Sequence, residues 1–106
     1  MDNKEAVYLL DALAQESRLA IFRLLVEAGP GGLHATQIGK SLGIPAATLS
    51  FHLKELTHVG LIQKRKSGRF LYYATDYRVM NALVGFLTKN CCSGQSCFPE
   101  PVHDGE

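Results

Sequence analysis

The sequence has few cysteines, almost no net charge and no long apolar run, and each lack removes a class of protein. Its three cysteines, Cys91, Cys92 and Cys97, are an odd number packed within seven residues. A secreted disulfide framework spreads an even count along the chain, so this usage predicts reduced thiols in a cytoplasmic setting. Met1-Asp2-Asn3-Lys4-Glu5 mixes charges of both signs, and polar residues interrupt every apolar stretch after a few positions, which fits neither a signal peptide nor a membrane span. There is no Cys-x-x-Cys, no glycine-rich phosphate loop, no carboxylate pair and no histidine beside the thiols, so nothing points to an enzyme. No internal repeat is present. At 106 residues the chain is one domain's worth, with room for one small core. Its 46% hydrophobic content is too high for a disordered chain.

The net charge of +1 would not by itself suggest a polyanion as partner, but it conceals a partition. Residues 1–33 carry three cations against five acids, net −2. Residues 34–74 carry Lys40, Lys54, Lys64, Arg65, Lys66 and Arg69 against Glu55 alone, net +5. Residues 75–106 carry two cations against four acids, net −2. A basic middle between acidic flanks is the footprint of a surface that meets a polyanion such as double-stranded DNA.

Hydrophobic spacing divides the chain into short elements. Val7, Leu10, Leu13 and Ala14 mark a helix over 4–14, and Leu19, Ile21, Phe22, Leu25 and Val26 a second over 16–28, stopped by Gly29-Pro30-Gly31-Gly32. Thr36 is the expected N-cap of a helix through Leu42, with Gly43 as its left-handed stop. A further helix opens at Pro45 and runs to about Val59 with Leu49, Leu53 and Leu56 inward, which turns Ala46, Ala47, Ser50, Phe51 and Lys54 elsewhere. Two short helices across a glycine-containing turn form a helix-turn-helix, whose second helix enters the major groove. Leu61 to Thr75 reads as strand, Ser67-Gly68 turn, strand, cationic at its tip. The final helix, 76–89, carries Val79, Met80, Leu83, Val84, Phe86 and Leu87, an apolar face too broad for a lone surface helix, which predicts contact with a second subunit. Residues 91–106 read as a flexible, cysteine-containing tail behind a domain spanning 1–90.

This order makes the fold class mainly α with a small β-hairpin, a winged helix-turn-helix. Leu13-Ala14-Gln15-Glu16-Ser17-Arg18-Leu19-Ala20-Ile21-Phe22-Arg23-Leu24-Leu25, Thr48-Leu49-Ser50-Phe51-His52-Leu53-Lys54-Glu55-Leu56 and Gly60-Leu61-Ile62 with the wing resemble the ArsR/SmtB family of bacterial metal-responsive repressors over roughly residues 5–90. The resemblance implies a homodimer joined through its first and last helices, bound to an imperfect inverted repeat and released when a metal binds. It places Ala46, Ala47, Ser50 and Phe51 on the DNA. Ser50 can bond a base or phosphate, whereas alanine methyls and a phenyl ring favour thymine methyl groups. Core packing is the competing role for Phe51, and helix packing or a phosphate contact the ordinary role for His52. Lys54 and the wing residues Lys64, Arg65, Lys66 and Arg69 would supply affinity and salt dependence more than sequence choice.

The resemblance also indicates where effector sites lie in such repressors. Cysteines used by an arsenic-sensing relative in the first helix of the helix-turn-helix correspond here to His34 and Thr36. The zinc site of other relatives keeps Asp76 but meets Arg78 and Lys89, which have no lone pair to offer a cation. That leaves Cys91, Cys92 and Cys97. Three thiolates suit a soft ion such as trivalent arsenic, with antimony(III) as cross-reactor, and the pattern resembles arsenic repressors with thiols at the end of the last helix. Zinc or cadmium held by these cysteines and His103, a thiol redox switch, and incidental thiols are the competing readings. His34, His58 and His103 are taken singly as surface residues. No resident cofactor is expected.

Overall fold

Asp2 begins the first helix, its side chain accepting the Glu5 backbone N–H at 2.9 Å while the Glu5 carboxylate accepts the Asp2 N–H at 3.0 Å, a reciprocal cap. The structure, a computed structural model, describes residues 1–95, so Cys97 and His103 lie outside the described residues. Helix α1 spans Asn3–Leu13 and α2 Glu16–Ala28, with the Gln15 side chain accepting the Arg18 backbone N–H at 2.8 Å. After β1 (Leu33–His34) come α3 (Ala35–Leu42), α4 (Ala46–His58), the hairpin strands β2 (Ile62–Ser67) and β3 (Phe70–Thr75), and α5 (Tyr77–Leu87).

The expected helices and hairpin are present, with four differences. The first is β1, which the sequence did not announce. It pairs with β3, so the sheet has order β1-β3-β2 and is antiparallel throughout. The pairing brings Gly32, at φ 73°, against the Tyr73 carbonyl, where any Cβ would collide with that oxygen. Secondly, because β1 runs directly into α3, His34 rather than Thr36 is the N-cap, its backbone N–H donating to Gln37 Oε1 at 3.0 Å. Thirdly, the hairpin turn is Gly68-Arg69, with Ser67 paired to Phe70, one residue beyond the expected Ser67-Gly68. Finally, the chain after α5 makes a 3₁₀ turn at Cys91–Gly94 that the sequence did not announce, entered through Asn90 and containing Cys92 and Ser93, all three at left-handed φ between 53° and 58°.

The core lies where α2, α3, α4 and the hairpin base converge. Ile21 and Leu25 from α2, Ile38 from α3, Leu53 and Leu56 from α4, and Leu61 and Ile62 at the base of the wing are all sealed from solvent. These positions are the inward stripe of each element's own period, which is why the apolar spacing located them. Helices α1 and α5 leave a second apolar surface uncovered: Val7, Tyr8 and Leu10 on α1 and Val84 and Leu87 on α5 are exposed.

Candidate nucleic-acid interface

Helix α4 turns two faces to two environments. Leu49, Leu53 and Leu56 pack inward with His52, while Ala46, Ala47, Ser50, Phe51 and Lys54 are all exposed. Phe51 is 56% exposed, so it stands on the outer face of the helix and contributes nothing to the core. Gly43 ends α3 at φ 67° and gives the tight turn that sets α4 across α3.

A surface groove follows α4. One hollow, about 310 Å³, lies among Thr36, Gly39, Lys40, Ala46, Ser50 and Tyr73; the next, about 250 Å³, among Ser50, Lys54, Thr57, Lys64 and Tyr73. They share Ser50, Leu53 and Tyr73 and so form one channel with ammonium groups at Lys40, Lys54 and Lys64. An open channel of this kind beside a protruding helix can follow a phosphate backbone while the helix reads a groove.

The register of the wing separates its four cations. Lys64 is opposite Tyr73 and faces the channel with Lys54. Arg65 is opposite Tyr72 and, one residue along the pleat, points the other way. Its guanidinium donates to Gly31 O at 3.0 Å and reaches Pro30 O at 3.5 Å, fastening the wing to the loop after α2. Lys66 and Arg69 are exposed near and at the hairpin tip. The wing face that carries Arg65 also holds rings: His34 stacks on Phe70 at 5.8 Å, and Tyr72 meets both edge-on. Lys40 and Tyr73 were absent from the sequence-based set. Lys40 could have been found from its place on the first helix of the motif, Tyr73 only from the strand register.

Two titratable groups have structural duties. His52 is buried, and Arg18 Nη1 lies 3.4 Å from its Nδ1. Burial first, and the Arg18 charge second, hold its pKa below the ordinary 6.5. A depressed folded pKa means that the stability it contributes is present above pH 6.5 and is lost as pH falls through that value towards the folded one. Asp76 is the N-cap of α5. Burial of its carboxyl opposes ionisation, but Gln63 Nε2 at 2.8 Å, the backbone N–H groups of Val79 and Arg78, and the Arg78 guanidinium at 3.8 Å together hold its pKa below the usual carboxylate value. Asp76 is thereby engaged in capping, and its neighbour Arg78 supplies no donor atom to a cation.

Cys91 and Cys92 lie beyond α5 and do not line the channel. Cys91 and Cys92 are exposed, with their Sγ atoms 3.8 Å apart. Among the described residues no three His, Cys, Asp or Glu side chains come together as a metal cluster. The third cysteine of the expected set, Cys97, falls outside them.

With this geometry in hand, similarity to known proteins is informative. Residues 13–65 match the family described as a helix-turn-helix domain. An uncharacterised HTH-type transcriptional regulator, YceK, of Bacillus subtilis (strain 168) is 37% identical over 87 residues, covering 81% of this chain and 86% of that one. The arsenical resistance operon repressor of Staphylococcus aureus is 29% identical over 106 residues, 100% of this chain and 99% of its own. Among solved structures, the homodimeric winged helix-turn-helix DNA-binding domain of Mb0332 from Mycobacterium bovis, a possible ArsR-family transcriptional regulator, superposes with a TM-score of 0.64 at 26% identity, over 90% of this chain and 88% of that one. The matched segment contains α2, α3, α4 and the first four residues of the wing's rising strand, and it supplies every residue of the channel lining except Tyr73. The chain belongs to the ArsR family of winged helix-turn-helix, DNA-binding transcriptional regulators.

Proposed function

We propose that the chain is a homodimeric, cytoplasmic repressor that binds an inverted-repeat operator and leaves it when trivalent arsenic, or antimony, binds the thiols after α5. The observation that carries this reading is the Cys91–Cys92 pair, 3.8 Å between sulfurs, at the end of a helix whose apolar face is uncovered. Adjacent cysteines can supply two sulfurs from one stretch of backbone, the donor type that a soft ion such as trivalent arsenic takes. The exposed apolar residues of α1 and α5 provide the self-complementary face that a two-fold dimer needs, in keeping with the homodimeric Mb0332 domain. An ion bound at the end of α5 acts on that interface, and the interface sets the distance between the two α4 helices. Alignment with the Staphylococcus aureus repressor over the whole chain supports arsenic as effector. No helix among the described residues is long and apolar enough to cross a membrane.

The same sulfurs also suit zinc or cadmium, which form the second reading. Fluorescence anisotropy on a labelled promoter fragment, with arsenite, zinc and cadmium titrated side by side, separates the two. Arsenite is expected to weaken DNA binding by about 5- to 150-fold, the range of an ordinary allosteric coupling. Cys91→Ser is expected to remove most of that response. Unchanged affinity at saturating arsenite overturns the proposal, and release by zinc alone establishes the second reading.

A further inference from the structure

Arg18 makes three connections that its place in the chain does not require. Its backbone N–H is held by the Gln15 side chain at 2.8 Å, which fixes where its side chain departs from α2. Its Nε donates to Ala12 O at 2.7 Å, one of the four C-terminal carbonyls that α1 cannot satisfy within itself. Its Nη1 reaches His52 Nδ1 on α4 at 3.4 Å. A guanidinium can only donate, so His52 Nδ1 must present a lone pair, which places the imidazole's proton on Nε2 and makes the ring neutral. His52 is 6% exposed and immediately precedes the inward Leu53; its ring lies edge-on to Phe51 at 5.6 Å. One planar cation therefore joins the end of the helix carrying Val7, Tyr8 and Leu10 to the middle of the DNA-reading helix.

We infer that Arg18 is a positioning residue for DNA binding: its guanidinium sets α4 relative to α1 and needs neutral His52 as acceptor. The inference rests on the DNA-binding reading of α4 given above. A lysine at position 18 keeps the charge but, with a single nitrogen, cannot hold both acceptors in the guanidinium's planar fork. A proton on Nδ1 would point a donor at a donor and place two positive charges side by side. On the elements of the domain, the charged side chains Asp11 of α1, Glu16 of α2, Lys40 of α3, Lys54 of α4 and Lys64 of β2 are exposed, and Glu55 is half-buried one turn further along α4. Burial and Arg18 are what act on the ring.

The test uses the whole chain and a fluorescein-labelled duplex that the wild type selects from a random-sequence pool. Arg18→Lys is expected to bind that duplex about tenfold more weakly at pH 7.5, within the range of a single coupling residue. His52→Asn, whose amide oxygen replaces Nδ1 as acceptor and does not titrate, is expected to bind within about twofold of wild type at that pH. Between pH 7.5 and 5.5 the ratio of wild-type to H52N affinity is expected to fall, by less than the roughly tenfold that an imidazole of ordinary pKa would allow. Taking the ratio cancels pH effects that the two proteins share, so it isolates His52. Thermal melts at each pH confirm that both proteins are folded at the assay temperature. Parallel pH profiles, or R18K binding as tightly as wild type, overturn the inference. Two readouts do not depend on DNA: imidazole nitrogen shifts should report His52 with its proton on Nε2 at pH 7.5, and amide exchange in α4 should quicken in R18K. A protonated Nδ1, or unchanged exchange in α4, overturns the inference even if no duplex is selected, whereas failure to select any duplex counts against the DNA-binding reading alone.

Discussion

A Lys54→Ala, Lys64→Ala double variant is expected to bind duplex DNA about a thousandfold more weakly at 0.15 M salt, with a log–log salt slope shallower by about 3.6. Both ammonium groups border the channel beside Ser50 and Tyr73, so each protomer loses two phosphate contacts and a dimer loses four. Each neutralised phosphate contributes about 0.9 to the slope through counterion release, and extrapolation from 1 M to 0.15 M salt converts four of them into about three decades of affinity. Arg65→Ala, by contrast, is expected to leave the slope nearly unchanged, because its guanidinium already serves the Gly31 and Pro30 carbonyls. Anisotropy titrations at four salt concentrations read both quantities. An equal loss in the Arg65 variant would show that the wing meets DNA through its other face.

Leu56→Ala is expected to destabilise the fold by about 2–5 kcal/mol, a large part of the roughly 5–15 kcal/mol available to a domain of this size. Leu56 is fully enclosed in the shared core, so truncation leaves a cavity that helices fixed on several sides cannot close. Phe51→Ala on the same helix is expected to change stability by less than about 0.5 kcal/mol, because the ring is largely exposed and meets the interior only through the edge of His52. The two variants separate what α4 does for the fold from what it does for DNA. Thermal melts at one fixed protein concentration, which an oligomer requires, should show a drop of about 10 °C or more for the first and almost none for the second. A large drop for Phe51→Ala would return that ring to the core.

Much of this organisation was legible in the chain because the signals were local. The i, i+4, i+7 leucines of α4, the glycines after α2 and α3, and the strand–turn–strand stretch after Gly60 are short-range patterns, and they located the helices and the wing. What escaped depended on partners distant in sequence. The two-residue β1 has no period of its own and exists only because it pairs with β3. Which wing cation faces the channel depends on register. Moving the turn to Gly68-Arg69 puts Lys66 opposite Leu71 and leaves Arg69 at the tip. The destination of Arg65, at Pro30 and Gly31, is 34 to 35 residues away, as is the Arg18–His52 contact at 34. The +5 of residues 34–74 thus points to a polyanion surface only as a whole, while its division into channel, tip and fastening came from the sheet.

DNA is expected to meet the α4 side of the molecule. Backbone amide shifts of nitrogen-15-labelled protein, followed as a selected duplex is added, test it most directly. The largest perturbations are expected on Thr36, Lys40, Ala46, Ser50, Phe51, Lys54 and Lys64, with Lys66 and Arg69 following at the wing tip. Perturbations concentrated instead on His34, Phe70 and Tyr72, with α4 unmoved, would contradict it.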